Sequence, residues 1–199
     1  MSSKRVIDVL ISGLILVASA PLFALLAVLV VLDSGVPVFF RQERVGKNFK
    51  SFRILKFRSM RVSQGGPSVT VGGDSRVTRI GKLLRRTKLD ELPQFWNVLR
   101  GDMSLVGPRP EVPEYVALQP ERYRRVLAVR PGITDPASLR FKDEESLLAA
   151  SEDPLRYYAE VILPAKLDMS EEYIQTRSLK ADFKVLLETA LLAVPGAQR

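Results

Sequence analysis

The sequence predicts a helix-rich α+β protein that combines an N-terminal membrane segment, a small β-hairpin and amphipathic helices. Three observations support this fold class: 24 consecutive uncharged residues near the start, apolar and basic residues alternating between positions 36 and 60, and helical spacing of apolar residues in much of the remainder. A chain of 199 residues fits one domain plus a membrane appendage.

The uncharged stretch runs from residue 9 to residue 32, between Asp8 and Asp33. Because about 20 apolar residues cross a bilayer core, a single spanning helix is one interpretation. The pair Ala20-Pro21 predicts a kink near its middle, since proline removes a backbone hydrogen bond. Lysine and arginine flank both ends, so the positive-inside rule favours both ends in the cytoplasm. A re-entrant helix bent at Ala20-Pro21, with Ser19 bonding freed carbonyls, is therefore the second interpretation, and the residues alone leave both open.

The next segment predicts a β-hairpin. Residues 36–46 and 49–60 are rich in β-formers, and Gly46-Lys47-Asn48 between them predicts a turn. The hairpin is strongly basic, which fits a surface resting on anionic lipid head groups or a phosphate-binding surface that uses Lys56 and Arg58. Composition alone favours the lipid surface.

The composition restricts the chemistry that this chain can perform. It has no histidine and no cysteine, so, hydroxyls aside, covalent or acid–base chemistry must rest on carboxylates, lysine or tyrosine. The absence of cysteine also excludes a disulfide scaffold. The net charge of +8 is concentrated in residues 41–100, which hold 15 Lys and Arg against four Asp and Glu. Such a basic region predicts an anionic partner: nucleic acid, anionic lipid or a phosphorylated substrate.

Asp90 and Glu91 are adjacent carboxylates inside this basic region. Residues 78–86 predict a short helix, and a second helix is expected to begin near Leu89-Asp90, because Pro93 fits only a first helical turn. The apolar face expected for this second helix consists of Leu92, Phe95, Trp96 and Leu99. Carboxylates at a helix start are commonly caps, so the pair is either a capping device or, given its basic surroundings, a reactive centre.

Two arginines are held next to prolines. Pro108 and Pro110 bracket Arg109, and Pro131 follows Arg130. Proline restricts the backbone on both sides of Arg109, and a fixed guanidinium suits bidentate phosphate binding better than lysine.

The C-terminal part predicts helices over 153–163 and 169–194, broken at Pro164. The second carries an apolar face with helical spacing, formed by Phe183, Leu186, Leu187, Ala190 and Leu191. Such a face either packs in the core or lies in a membrane interface.

Several short motifs together resemble the bacterial sugar transferase family, the monotopic phosphoglycosyl transferases that begin glycan assembly on a polyprenyl phosphate. The resemblance covers essentially the whole chain, with a looser match at Tyr173, Ser178, Asp182 and Thr189. It is carried by KFRSM (56–60), TRIG (78–81), LLRRT (83–87), LDELPQ (89–94), NVL (97–99), GDMSLVGPRP (101–110) and RPGIT (130–134).

The resemblance implies a two-step displacement. Asp90 would attack the β-phosphate of a UDP-sugar and expel UMP, and undecaprenyl phosphate would then attack the covalent aspartyl-phosphosugar. It implies that Glu91 binds Mg²⁺, a hard cation that prefers oxygen ligands. The residues matching substrate-binding positions of the family are Lys56, Arg58, Arg85, Pro108, Arg109 and Arg130.

The family also implies a topology. Residues 1–34 would form a re-entrant membrane helix kinked at Ala20 and Pro21, and residues 35–199 a catalytic domain with interfacial C-terminal helices. The location implied is the cytoplasmic face of the bacterial inner membrane, with membrane lipids as partners, no nucleic acid, and a homodimer left open.

The chain departs from the family pattern at two places. Members often have Ser-Pro at the kink, where this chain has Ala20-Pro21. Many continue after RPGIT with Gly-x-Ala-Gln, where this chain has Asp135-Pro136-Ala137-Ser138. The alternatives are a non-catalytic basic module that binds nucleotide-sugar or anionic lipid, and a membrane-tethered nucleic-acid binder. No nucleic-acid motif supports the latter.

Overall fold

A computed structural model describes residues 3–61 and 71–193 of the chain. The predicted helix-rich α+β class with a small antiparallel sheet is confirmed. The chain opens with two helices, α1 (Ser3–Ala18) and α2 (Ala20–Ser34), that meet at a bend of 63°. The predicted end of the last helix, residue 194, lies outside the described residues.

The break between α1 and α2 falls at Ser19, directly before Ala20 and Pro21. The Ser19 hydroxyl donates a hydrogen bond to the Ile15 carbonyl at 2.6 Å, the kind of local bond expected beside a kink. Pro21 lies in the first turn of α2, where its missing N–H has no helical partner to lose. Among the described residues no single helix has the length and apolar composition to cross a membrane; α1 and α2 taken together do.

Each of the first two helices has an outer face that the other residues described in the structure leave uncovered. Leu14 and Val17 of α1 are 70% and 76% exposed, and Leu32 of α2 is 78% exposed. On the inner side of α2, Leu26 and Val30 are buried in a cluster with residues of the hairpin and of the third helix.

The predicted hairpin is present. Strands β1 (Phe39–Val45) and β2 (Ser51–Phe57) pair antiparallel, with Phe39 opposite Phe57. The Phe57 ring lies 5.1 Å from the Phe23 ring of α2, centroid to centroid, so the end of the hairpin packs against the second helix.

The next helix, α3 (Arg79–Arg86), is capped by Thr78, whose hydroxyl accepts from the Gly81 N–H at 2.9 Å. The prediction that a helix begins near Leu89-Asp90 is confirmed only for a short helical turn, and the α-helix itself begins later. Leu89–Glu91 forms a separate 3₁₀ turn after Lys88, which has a left-handed backbone (φ 57°), and α4 (Gln94–Arg100) begins three residues later.

The predicted apolar face of α4 is wrong in part. Trp96 is 53% exposed, whereas Asn97 is buried. The Asn97 amide accepts from Leu55 N–H at 3.0 Å and donates to the Arg53 carbonyl at 2.9 Å, so it satisfies backbone groups of β2.

A second sheet of two strands is formed by residues in the middle of the chain. Strands β3 (Ser104–Val106) and β4 (Gly132–Thr134) run parallel, and helices α5 (Pro113–Leu118) and α6 (Pro120–Val126) lie between them in sequence. Gly107 and Gly132 allow the close backbone approach, because a Cβ on Gly132 would lie 2.1 Å from the Gly107 nitrogen.

The C-terminal part continues with α7 (Pro136–Arg140), α8 (Glu144–Ala149) and α9 (Pro154–Tyr157). A π turn (Tyr158–Ile162) leads directly into α10 (Leu163–Thr176), and α11 (Leu179–Ala193) follows.

The predicted break at Pro164 is therefore wrong. Pro164 lies in the first turn of α10, just after the π turn, and the helical path continues through it to Thr176. In α11, Val185 is buried, while Phe183, Leu187 and Leu191 are exposed and form one stripe.

Candidate active site

The acidic pair lies where three parts of the chain meet. The 3₁₀ turn holds Asp90 and Glu91, strand β2 supplies Lys56, and the proline-bracketed loop after β3 supplies Arg109. Oε1 of Glu91 accepts from Lys56 Nζ and from Arg109 Nη2, each at 2.8 Å. Four of the residues predicted from the sequence are therefore brought together.

The charges of this cluster stabilise one another. Burial alone would raise the pKa of Glu91, but Arg109 and Lys56 together hold that pKa well below the ordinary range. Glu91 in turn raises the pKa of Arg109. Burial lowers the pKa of Lys56, and Glu91 opposes that effect. Glu91 is thus a firmly ionised carboxylate that holds two cations in place.

Asp90 differs from its neighbour. It is 6% exposed, and its Oδ1 atom is buried without a hydrogen-bond partner among the described residues. Burial raises its pKa, and the charge of Lys56 offsets part of this. A buried carboxylate oxygen without a partner is costly, and such groups are concentrated at functional sites. Two adjacent carboxylates in opposite environments can therefore take different chemical roles.

The other predicted basic residues lie in different places. Arg85 of α3 forms an ion pair with Glu145 and still lowers the pKa of Asp90 by its charge. Arg58 is buried and donates to the Ser34 hydroxyl at 2.9 Å and to the Gly35 carbonyl, so it holds the end of α2.

Arg130 is not part of the cluster around Glu91. Its Nε donates to the Gly101 carbonyl at 2.7 Å, just beyond the C-terminal end of α4. The turn with Asp90 precedes the opposite end of that helix.

A model of the bacterial sugar transferase family matches residues 1–196. The chain belongs to this family. It is 40% identical over 193 residues to a UDP-glucose:undecaprenyl-phosphate glucose-1-phosphate transferase of Caulobacter vibrioides, covering 94% of this chain and 67% of the relative. It is 40% identical over 201 residues to a UDP-N-acetylgalactosamine-undecaprenyl-phosphate N-acetylgalactosaminephosphotransferase of Aeromonas hydrophila, covering 97% of this chain and 44% of the relative.

A third relative of this chain is a UDP-glucose:undecaprenyl-phosphate glucose-1-phosphate transferase of Escherichia coli. The identity is 37% over 196 residues, which cover 94% of this chain and 39% of the relative. The chain therefore spans about two thirds of the Caulobacter protein and less than half of the other two.

One residue that supports this site was not among the site residues predicted from the sequence. Asp135 is 1% exposed; its Oδ2 accepts from the Arg109 N–H at 3.2 Å and its Oδ1 accepts from the Ser138 N–H at 2.7 Å. It thus caps α7 and fixes the backbone of Arg109. An aspartate directly before a proline that opens a helix is a recognisable N-cap signal, and it could have predicted the cap.

The acidic pair also fits a magnesium ion. Within the described ranges no group of three or more acidic, histidine or cysteine side chains could hold a metal alone. Mg²⁺ is commonly held by one or two carboxylates together with substrate phosphates and water, so it does not need such a group. Oε2 of Glu91 accepts no hydrogen bond from a described residue and is the oxygen available to a cation.

Proposed function

We propose that this sugar transferase moves a sugar 1-phosphate from a UDP-sugar to undecaprenyl phosphate and releases UMP. The observation that carries the proposal is the contrast between the two carboxylates: the buried Oδ1 of Asp90 has no hydrogen-bond partner among the described residues, whereas Glu91 is bound to Lys56 and Arg109. The names of the relatives, which specify UDP-sugars and undecaprenyl phosphate, support the choice of substrates.

The first step is attack by a carboxylate oxygen of Asp90 on the β-phosphorus. A bond forms between this oxygen and phosphorus, and the bond from phosphorus to the oxygen bridging the two phosphates breaks. UMP leaves with the electron pair, and the sugar phosphate remains on Asp90 as an acyl phosphate. An aspartate needs no base for this step, because it is ionised at neutral pH unless its pKa is strongly raised.

In the second step, an oxygen of undecaprenyl phosphate attacks the same phosphorus. The Asp90 carboxylate leaves with the electrons of its bond, and the product is an undecaprenyl diphospho-sugar. This reaction would be the first membrane step of glycoconjugate assembly.

The basic residues offset the repulsion between a carboxylate and a diphosphate. Lys56 and Arg109 lie against Glu91, and Arg85 acts on Asp90 by its charge, so positive charge is fixed where the phosphates would bind. Pro108 and Pro110 restrict the backbone on both sides of Arg109, so the loop does not need to change conformation before the guanidinium binds a phosphate.

Glu91 is the residue that would hold Mg²⁺ in this site. When bound, the ion supplies positive charge that polarises the phosphate oxygens. Glu91 itself anchors Lys56 and Arg109 next to Asp90, and this role is independent of the ion.

The first 34 residues are proposed to form the re-entrant membrane helix. Their uncovered apolar face is suited to lipid. Both ends are bonded to the same body: Asp8 accepts from the Ser104 hydroxyl at 2.8 Å, and Arg58 donates to Ser34 at 2.9 Å. This supports a hairpin that enters and leaves one leaflet, bent at Ser19.

Residues 35–199 would then form the catalytic domain on the cytoplasmic face of the inner membrane. The exposed stripe of α11, with Phe183, Leu187 and Leu191, supports an interfacial position for this helix.

A UMP-release assay tests the proposed reaction. Purified protein is incubated with Mg²⁺, undecaprenyl phosphate and a panel of UDP-sugars, and Asp90→Asn is compared with Asp143→Asn. Asp143 is exposed, and its carboxylate forms no hydrogen bond or ion pair with the part of the chain that the structure describes. We expect Asp90→Asn to lower the rate by about 10³-fold or more and Asp143→Asn to leave it unchanged. Full activity in Asp90→Asn, or no UMP from any sugar, would disprove the proposal.

Single-cysteine labelling tests the topology, because the natural chain has no cysteine. A cysteine at Ser3 is expected to resist a membrane-impermeant thiol reagent added from the periplasmic side and to react after the cells are opened. Labelling from the periplasm would refute the re-entrant helix.

A further inference from the structure

A second basic site lies at the start of α1. It is a cleft of about 230 Å³ beside the C-terminal end of α4, and we call it the α1 cleft. Asp8 is the acidic residue in its lining. The basic residues in its lining are Lys4, Arg5, Lys47, Arg130 and Arg177.

The positive charge of the α1 cleft is largely uncompensated. Asp8 contributes one negative charge against the five positive charges of the lining, and its oxygens accept from neutral donors, Oδ2 from the Ser104 hydroxyl at 2.8 Å and Oδ1 from the Leu105 N–H at 3.2 Å. Lys4 is paired with Asp182. The other four lining cations form no ion pair with any residue in the described ranges 3–61 and 71–193.

Two of these cations are anchored by backbone carbonyls. Arg5 donates to the Val98 and Leu99 carbonyls at 2.6 and 3.0 Å, and Arg130 uses its Nε for the Gly101 carbonyl. The two terminal nitrogens of Arg130 donate to no described residue. A guanidinium that is held at Nε and has its outer fork available is suited to bidentate binding of a phosphate group.

The α1 cleft also borders the apolar face of the membrane helix. Lys4 and Arg5 belong to the first turn of α1, and the exposed apolar residues begin at Val6 and continue with Leu10 and Leu14. Basic side chains next to a lipid-facing apolar surface lie at the depth of phospholipid head groups.

From these observations we propose that the α1 cleft binds a phosphate group carried by a membrane lipid. The site is distinct from the cluster around Glu91 and does not depend on the proposed reaction. In this proposal Arg130 binds phosphate, as the sequence predicts, but in the α1 cleft and not beside Asp90. The lipid is either an anionic phospholipid or undecaprenyl phosphate, since both present the same chemical group.

Native mass spectrometry of the full chain in neutral detergent tests this site and distinguishes the sources. The ligands titrated are phosphatidylglycerol, undecaprenyl phosphate and, as a phosphate without a lipid, UMP. The cleft variants are Lys47→Gln/Arg177→Gln and Arg130→Gln. Lys47 and Arg177 are exposed, and their side chains form no hydrogen bond with a described residue, so their replacement is expected to preserve the fold. The matched control is Arg124→Gln/Arg156→Gln, which removes two charges from side chains that are 70% and 71% exposed.

We expect the cleft variants to bind at least one of the two lipids about tenfold more weakly than the natural protein, because each lost charge-assisted contact contributes on the order of 1.5 kcal/mol. The control variant is expected to bind both lipids normally. The lipid whose affinity falls is the ligand of the cleft. Unchanged lipid binding in the cleft variants, an equal loss in the control, or a loss confined to UMP would overturn the proposal.

Discussion

Arg109 Nη2 lies 2.8 Å from Oε1 of Glu91, and this contact joins the proline-bracketed loop to the turn that carries Asp90. The same oxygen accepts from Lys56. One carboxylate oxygen therefore connects a strand, a turn and a loop, and the position of each cation depends on the charge of Glu91.

Replacement of Glu91 is expected to destabilise the fold as well as to reduce activity. In Glu91→Gln, Lys56 and Arg109 lose the charge that compensates their burial. Both cations keep part of their contact with solvent, which limits the expected loss to about 1–3 kcal/mol in the free energy of unfolding. Urea denaturation measures it. The control, Glu121→Gln, removes one partner of an exposed ion pair and is expected to change stability by less than about 0.5 kcal/mol. Equal stability of the two variants would contradict this account.

The pH dependence of transfer is expected to report the ionisation of Asp90. Burial raises the pKa of Asp90, so the nucleophilic form is lost as the pH falls through a value above the ordinary aspartate range. Lys56→Gln removes the main charge that lowers this pKa, so the acid limb of the rate profile should move to higher pH. Lys50→Gln, on the exposed turn of the hairpin, should leave the limb in place. An acid limb that Lys56→Gln does not move, or moves to lower pH, would contradict this assignment.

The local sequence predicted the hairpin and the acidic pair because their signals are short-range. Alternating β-formers around a glycine turn define the hairpin, and the absence of histidine and cysteine directs attention to carboxylates. The two hydrogen-bond donors to Glu91, Lys56 and Arg109, lie 35 and 18 residues away in the sequence, and no local pattern predicts such contacts.

Two predictions from the sequence, part of the apolar face of α4 and the helix break at Pro164, are wrong for physical reasons that the spacing of apolar residues does not reveal. Asn97 is buried because its amide satisfies backbone groups of β2, whereas Trp96 faces outward. Pro164 does not end the helix, because it lies in the first turn of α10, where the N–H that it lacks is not required for the helix that follows.

Asp135 is expected to act on substrate binding through Arg109. Asp135→Ala removes the acceptor for the Arg109 N–H and the cap of α7, and we expect a loss of about 1–2 kcal/mol in stability together with a higher KM for the UDP-sugar. Asp135→Asn keeps one acceptor oxygen for two N–H donors, so it should recover only part of the stability and of the affinity.

The control for Asp135 is Asp153→Ala. It also removes an N-cap, which accepts from the Arg156 N–H at 3.1 Å, but at a helix that forms no hydrogen bond or ion pair with Arg109 among the described residues. It should lose less stability than Asp135→Ala, because Asp153 is exposed and accepts a single bond, and its KM should be unchanged. If KM rises equally in Asp153→Ala, the effect of Asp135 on substrate binding comes from the loss of stability and not from the position of Arg109.

Gly81 is expected to be the least replaceable glycine of α3 and its surroundings, because a side chain there has no room. A Cβ at Gly81 would lie 1.9 Å from the Ser59 carbonyl oxygen, and this contact is with backbone that cannot rotate away. Gly81→Ala must therefore move α3, which carries Arg85 beside Asp90. We expect a loss of about 1–3 kcal/mol in the free energy of unfolding and a lower rate of UMP release.

Gly13→Ala in α1 provides the comparison, since a Cβ there meets no atom within 4 Å. Alanine favours a helix over glycine by about 1 kcal/mol, so Gly13→Ala should be neutral or stabilising. Thermal unfolding of both variants in the same detergent measures the difference, and equal midpoints would show that α3 can shift without cost.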